Sequence, residues 1–399
     1  MTPKFHADHV GSFIRPQALL DTIKPWGPPP DENAKKAQQD ATEAAVAHVV
    51  KKQLELDIRP ITSGEYERIL FIDGFFEKLQ GMEVRKDIPI RGGLRKNSPL
   101  IPALERLGRT HIQGIVATGK IKRVTPAYLD AWKMLRSHVP EDKWKDCKIT
   151  MPSPSWFHLF LATGGAYEVG AYSSDKEYFA DLTAAYREEL KDLYDAGLRS
   201  VQIDDPQLLY FIIDSVAEGM RSDGVDPAKL LDRYLWALNE IVRDRPKDMY
   251  VGIHMCRGNM VGADDGFLSG SYERIAEKIF EELKYDTFYL EFDDERAGSF
   301  EPLRFLPVGK AATLGLVTTK RPELENLEEM KAKVHRAAEA IATGQKRSIE
   351  EVLQDSLAVS PQCGFASAHL AKNVGSEERM WEKLVLVRDL ARSIWKDSA

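Results

Sequence analysis

From residue 174 onward the chain alternates between two spacings of apolar residues. Short runs at 200–204 (SVQID), 249–256 (MYVGIHMC), 287–292, 311–318 and 357–360 are dense in β-branched, aromatic and aliphatic residues and predict strands. Between and after them, apolar residues recur every three or four positions, which predicts helices near 174–195, 228–243, 271–284, 326–343, 349–355 and 377–395. The boundaries carry their own signals. Ser174 with Glu177, and Ser348 with Glu351, have capping-box spacing, while Gly197 stops a helix and Pro206 stops a strand. The first half is less regular. Residues 31–56, rich in Ala, Glu, Lys and Gln, predict a long helix, and Pro25 to Pro30 predict a rigid loop. Short strands are expected at 9–12, 58–62, 111–118 and 148–151, and the rest of 66–140 is broken by Gly and Pro.

Strands separated by helices imply crossover connections and a parallel sheet. Eight or nine strands over 399 residues, with no break in composition, predict an α/β fold: one (β/α)8 TIM barrel spanning 1–399, with a hairpin or extension inserted between the early strands. No glycine-rich dinucleotide or phosphate loop follows any strand. The 55 Lys and Arg against 62 Asp and Glu leave a net charge of −7 without basic clusters, which argues against nucleic acid and against a charged membrane surface as partners. No apolar run is long enough to span a bilayer, the N-terminus lacks an apolar signal core, and three dispersed cysteines form no disulfide framework. A cytoplasmic location is therefore expected.

In a barrel, chemistry sits where strands end. On the strand 249–256, His254 and Cys256 are two residues apart and share the inward face. Glu291 stands between apolar neighbours near the end of the next strand, and Cys363 follows the last one. Imidazole, thiolate and carboxylate donors together suit zinc. Each residue also has an ordinary reading: a lone buried cysteine packs as a small apolar group, and Glu291 could instead pair with Arg296 or Arg304. Cys147 has no partner pattern and is read as packing. Asp204 shares the inward parity of Gln202 and could bind an ammonium group, or it could cap its strand in an Asp-Pro turn. Glu65 offers another rim carboxylate, and Ser12 offers a hydroxyl beside loop amides. Carboxylates for an amine, with a hydroxyl and amides for a carboxylate, would together recognise an amino acid.

The segments HVGSFIRP (9–16), SGEYER (63–68), QIDDP (202–206), HMCRGN (254–259), LEFDDERAGSFEPL (290–303), LGLVTTKRPELE (314–325) and SPQCGF (360–365), in this order, resemble the catalytic domain of the cobalamin-independent methionine synthase family, in particular its shorter single-barrel relatives. The resemblance implies a catalytic Zn²⁺ on His254, Cys256, Glu291 and Cys363. It implies homocysteine bound by Ser12, Glu65 and Asp204, and an aromatic residue near the pterin at Trp156. The partners it implies are a small-molecule thiol, homocysteine, and a methyl donor such as a 5-methyltetrahydrofolate; a homo-oligomer is compatible with the chain. Where the longer enzymes carry an Asp-Ile-His whose histidine helps protonate the folate leaving group, this chain has Thr318-Thr319-Lys320. Lys320 is thus the candidate proton donor or anion contact, alongside Asp204 among the catalytic candidates. The donor stays open between a methylfolate and another electrophile such as an epoxide, and a non-catalytic binding barrel is the remaining alternative.

Overall fold

Most strands of the central sheet feed a helix that returns the chain to start the next strand beside it, while the connection 292–310 does so with two short 3-10 turns. The computed structural model describes residues 3–23, 31–259 and 268–395, so the expected loop at Pro25 to Pro30 lies outside the described residues. Eight strands are assigned: β1 (Gln80–Pro89), β2 (His111–Lys122), β3 (Ile149–Pro152), β4 (Ser200–Asp204), β5 (Tyr250–Met255), β6 (Thr287–Glu291), β7 (Ala311–Val317) and β8 (Leu357–Pro361). Strands β3 to β8 form one parallel sheet in sequence order. Every residue in them is buried except Tyr250 at the start of β5. Burial on both faces is what a parallel sheet covered by its crossover helices requires.

Two short staves close the barrel. Ala7 pairs in parallel with Val359, with Asp8 N–H donating to the Val359 carbonyl at 2.9 Å. Ile61 pairs in parallel with Cys147, with Lys148 N–H donating to the Ile61 carbonyl at 3.0 Å. The two staves meet through Phe13 N–H and the Gly64 carbonyl at 3.0 Å. The strand expected at 9–12 does not form, the first stave being a single bridge at Ala7, and the strand expected at 58–62 is reduced to a single bridge at Ile61. Pro60, which has no N–H to give, limits the second one.

The inserted hairpin is the antiparallel pair β1–β2, which lies in sequence between the second stave and β3. Its first strand has no clear sequence signal. Only Met82 of β1 is buried, and register shifts between Gln80 and Met82 and between Arg85 and Ile88 interrupt the period-two pattern. Helices at Leu129–Ser137 and Asp214–Ser222 also lacked a sequence expectation.

The capping signals are realised unequally. Around Ser348, the Glu351 backbone N–H donates to the Ser348 hydroxyl, and Glu351 accepts in return from the Ser348 N–H, a complete reciprocal box. Around Ser174, the Glu177 carboxylate turns to the N–H of Ser173 instead, so only one half of the box forms.

Strand parity sorts the barrel. Val201, Ile203, Val251, Ile253, Met255, Phe288 and Leu290 join the apolar core, whereas Lys148, Thr150, Gln202, His254, Tyr289, Glu291 and Thr313 are buried on the alternate positions. These polar groups pair with one another between neighbouring strands on the inner face, as in Lys148 with Gln202 at 2.8 Å and Thr287 with Thr313 at 2.9 Å.

Helix Leu327–Gln345 docks closely on the segment Glu301–Phe305: a Cβ at Gly344 would overlap the Arg304 carbonyl oxygen. Intrinsic propensity favours alanine over glycine within a helix by about 1 kcal/mol. Overpacking against a backbone atom opposes it by about 1–3 kcal/mol. Gly344→Ala is thus expected to lower the urea midpoint of unfolding; a raised midpoint would show that this helix does not dock so tightly.

Candidate metal centre

The mouth of the barrel is built by three strand ends. β5 delivers His254 and, one residue past its end, Cys256; β6 ends at Glu291; and the loop after β8 carries Cys363. Gly315 on β7 admits that loop, because a Cβ there would sit 2.6 Å from the Gln362 Cα. Gly364 then packs so closely on the Ser12 hydroxyl that it leaves no room for a side chain.

These elements bring one donor atom each from His254, Cys256, Glu291 and Cys363 to within 4.8 Å of one another. The two sulfurs are 3.5 Å apart, and His254 Nε2 is 4.0 Å from Glu291 Oε1. The Gly258 N–H donates to Cys256 Sγ at 3.2 Å, and the Arg257 N–H donates to Glu291 Oε1 at 2.9 Å. His254 Nε2 and Glu291 Oε2 are buried with no hydrogen-bond partner among the described residues. On the far side of the imidazole, Nδ1 lies 3.2 Å from Asp204 Oδ1.

Crowding, with burial for Cys256 and Glu291, shifts three of these groups upward. Burial alone would depress the His254 imidazole, but the Asp204 hydrogen bond and the charges of Cys363 and Glu291 push it up to about 9. Burial, reinforced by Asp293, pushes Glu291 up to about 7 against the pull of His254, the Arg257 N–H and Lys320. The hydrogen bond to Cys363, then burial, drives the Cys256 thiol well above its ordinary range.

Each orphaned buried polar atom costs about 1–3 kcal/mol of lost hydration, which a cation between them would recover. Two sulfurs on one tetrahedral zinc with bonds of about 2.3 Å lie about 3.8 Å apart, close to the spacing found. The donor set therefore fits a zinc ion. The alternative pairing for Glu291 does not occur: Arg296 pairs with Asp294 at 2.9 Å, and Arg304 pairs with Glu273. Cys147 stands apart from the cluster, fully buried, its thiol pushed up to about 12 by burial.

The remaining sequence candidates have distinct surroundings. Glu65 and the preceding Gly64 both adopt left-handed backbone angles, φ +61° and +71°. For a non-glycine residue that conformation costs about 1 kcal/mol or more and is often kept where it aims a functional side chain. Glu65 Oε1 accepts from Thr150 and from Arg68, both at 2.6 Å, while its buried Oε2 has no partner. Burial raises the Glu65 carboxyl and Arg68 lowers it, with the charge of Asp204 raising it further. Asp204 Oδ1 accepts from Gln202 at 2.7 Å besides its contact with His254. Ser12 Oγ accepts from the Ala366 N–H at 3.4 Å, joining the first stave to the Cys363 loop. Trp156 is half-buried, stacked on Phe160 and edge-on to Phe71. Lys320 Nζ bridges Asp293 and Asp294 at 2.7 and 2.6 Å, so its ammonium is already paired.

Three residues around the site had no assigned role from sequence. Arg68 stands three residues after Glu65, a spacing that could have suggested the pair. Arg257 lies inside the HMCRGN segment, buried over the Tyr272 ring at 4.4 Å. Lys148, just before β3, reaches Gln202 on the neighbouring β4, a contact with no signal in local sequence.

Residues 171–383 match the family described as cobalamin-independent synthase, catalytic domain. The chain is similar to the uncharacterized protein YxjH of Bacillus subtilis, 33% identical over 98% of this chain and 95% of the relative. It is also similar to a candidate vitamin-B12 independent methionine synthase from Listeria monocytogenes, with a TM-score of 0.68, 26% identity and coverage of 99% of each chain. The fold matches that of a B12-independent methionine synthase from Shewanella sp. W3-18-1, solved with selenomethionine, with a TM-score of 0.69, 17% identity and coverage of 98% of each chain. With the family's catalytic-domain match running through β4 to β8 and a relative of this identity along nearly its whole length, the chain belongs to the cobalamin-independent methionine synthase family.

Proposed function

We propose that this chain is a zinc-dependent homocysteine S-methyltransferase that forms methionine from a methylfolate donor, with residues 1–399 acting as one catalytic domain. The observation that carries the reading is the convergence of His254, Cys256, Glu291 and Cys363 around two unpartnered buried donor atoms. Those four residues would hold the metal. Zinc bound there would keep a thiol deprotonated and nucleophilic at neutral pH.

The protein's own groups do the rest. Two thiolates and a carboxylate bring three negative charges, which keep the centre electron-rich toward an incoming sulfur. Glu65 Oε2 receives the ammonium of the amino acid; Arg68 and Thr150 grip the other oxygen and prevent the carboxylate from turning away. Asp204 adds a second negative charge near that ammonium, and Ser12 contacts the substrate carboxylate. Trp156 offers a ring surface for the donor, backed by Phe160. In the transfer, a sulfur–carbon bond forms, the carbon–nitrogen bond of the donor breaks, and the departing nitrogen takes a proton, for which Lys320 between Asp293 and Asp294 is the source. Two thiols 3.5 Å apart must stay reduced for this chemistry, which supports a reducing compartment such as the cytoplasm as its setting.

Purified chain is expected to carry about one zinc, and Cys363→Ser to lose most of it. Activity in that variant should fall more than about 100-fold, since changes to groups that merely support a ligand already cost 10–100-fold. Metal analysis and methionine formation from homocysteine and 5-methyltetrahydrofolate check both points; full zinc in the variant refutes the ligand assignment. A wild type that makes no methionine from this donor, yet opens an epoxide with a thiol, moves the donor and leaves the centre standing.

Glu65→Gln removes the charge that receives the ammonium. A charge-assisted hydrogen bond contributes about 1.5–3 kcal/mol, so KM for homocysteine should rise about 10- to 100-fold with zinc content unchanged. An amine-free thiol of similar length should react equally well with variant and wild type. Equal losses with both thiols would assign Glu65 a structural role only.

A further inference from the structure

A line of buried hydrogen bonds runs from the lumen to the imidazole at the metal centre. Lys148 Nζ, 1% exposed, donates to Asp8 Oδ1 at 2.8 Å, to the His9 carbonyl at 2.5 Å and to Gln202 Oε1 at 2.8 Å. Gln202 Nε2 donates to the Val10 carbonyl at 2.8 Å and to Asp204 Oδ1 at 2.7 Å. Asp204 Oδ1 then faces His254 Nδ1 at 3.2 Å; the two residues are register partners on β4 and β5.

Donor and acceptor chemistry sets the directions along this line. An ammonium only donates, so Gln202 must turn its oxygen to Lys148. The Val10 carbonyl only accepts, which fixes the Gln202 NH₂ on the other side. Its second N–H must then point to Asp204. An Asp204 oxygen that accepts from Gln202 also accepts from His254, which places the imidazole proton on Nδ1. His254 Nε2, buried and without a partner among the described residues, is the nitrogen that faces Cys256, Glu291 and Cys363 and would bind the metal.

We infer that Lys148 and Gln202 are positioning residues for the metal ligand His254: together they set the amide orientation that holds Asp204 as an acceptor and His254 as the Nδ1–H tautomer. The inference rests on the metal-centre reading above and extends it to residues that touch neither metal nor substrate. Direct partners of a ligating histidine are worth 10–100-fold in metal affinity, and Gln202 acts one bond further out.

The test measures zinc affinity by competition with a chromophoric chelator at fixed pH, together with the visible spectrum of the cobalt-substituted protein. Gln202→Glu keeps the shape and the Lys148 contact but removes both N–H donors; Gln202→Met removes the polar group altogether. Each is expected to weaken zinc binding about tenfold, at the lower end of that range, and to shift the cobalt spectrum. Tyr289→Phe is the control for a structural role. Its hydroxyl donates to Asp8 Oδ2 at 2.7 Å and lies 3.3 Å from Lys148, in the same buried cluster but off the line to Asp204. It should lower thermal stability and leave zinc affinity unchanged. Gln202 variants that bind zinc as tightly as wild type, or a Tyr289→Phe variant equally weakened, would overturn the inference. Should neither Gln202 variant fold, nitrogen NMR of the zinc-loaded wild type decides: Nδ1 protonated and Nε2 bound supports the line, and the reverse tautomer refutes it. A wild type that holds no zinc overturns both this inference and the proposed function.

Discussion

Four donor groups within 4.8 Å of one another, three of them buried and Cys256 half-buried, two of them thiols and one a carboxylate, cannot all carry their charge at the barrel mouth without a counter-charge. Something positive must sit among them, either protons or a metal ion. The upward shifts of Cys256, Glu291 and His254 express that crowding. The surrounding structure favours the metal solution, because it leaves Nε2 of His254 and Oε2 of Glu291 without any other partner.

Much of the barrel interior serves this requirement. A lumen filled with aliphatic side chains would be simpler to pack, but here alternate strand positions carry Lys148, Thr150, Gln202, Tyr289 and Thr313. Each is buried, and each finds its partner on another stave. The polar lumen acts as the support of the mouth: it orients Asp204 behind His254, and Thr150 and Arg68 behind Glu65. The strained backbone at Glu65 and the missing side chains at Gly315 and Gly364 belong to the same arrangement, since they let loops approach closely enough to meet the strand ends.

The substrate side is organised by charge. Glu65 and Asp204 are carboxylates whose fields add, and Arg68 compensates only one oxygen of Glu65. An ammonium group entering there meets an acceptor already aimed and already short of a partner. Lys320 differs, because Asp293 and Asp294 hold it before any ligand arrives. An ammonium anchored by two carboxylates keeps its position at the rim.

Local sequence determined the strand-and-helix alternation, the caps at Ser174 and Ser348, the inward parity of His254 and Cys256, and the chemical kinds of the four donors. These are short-range properties: periodicity, turn chemistry and side-chain type act over a few residues. It did not reveal β1, where bulges break the alternation, nor the reduction of the first two staves to single bridges. Tertiary structure alone decided that Cys363 meets Cys256 across 107 positions at 3.5 Å, and that Glu291 faces His254 rather than Arg296 or Arg304. It alone turned Lys148 and Gln202 into the support of Asp204. The reason is geometric: closing the barrel brings strand ends far apart in sequence to one rim, and which of their polar atoms remain unpaired depends on partners that only closure supplies.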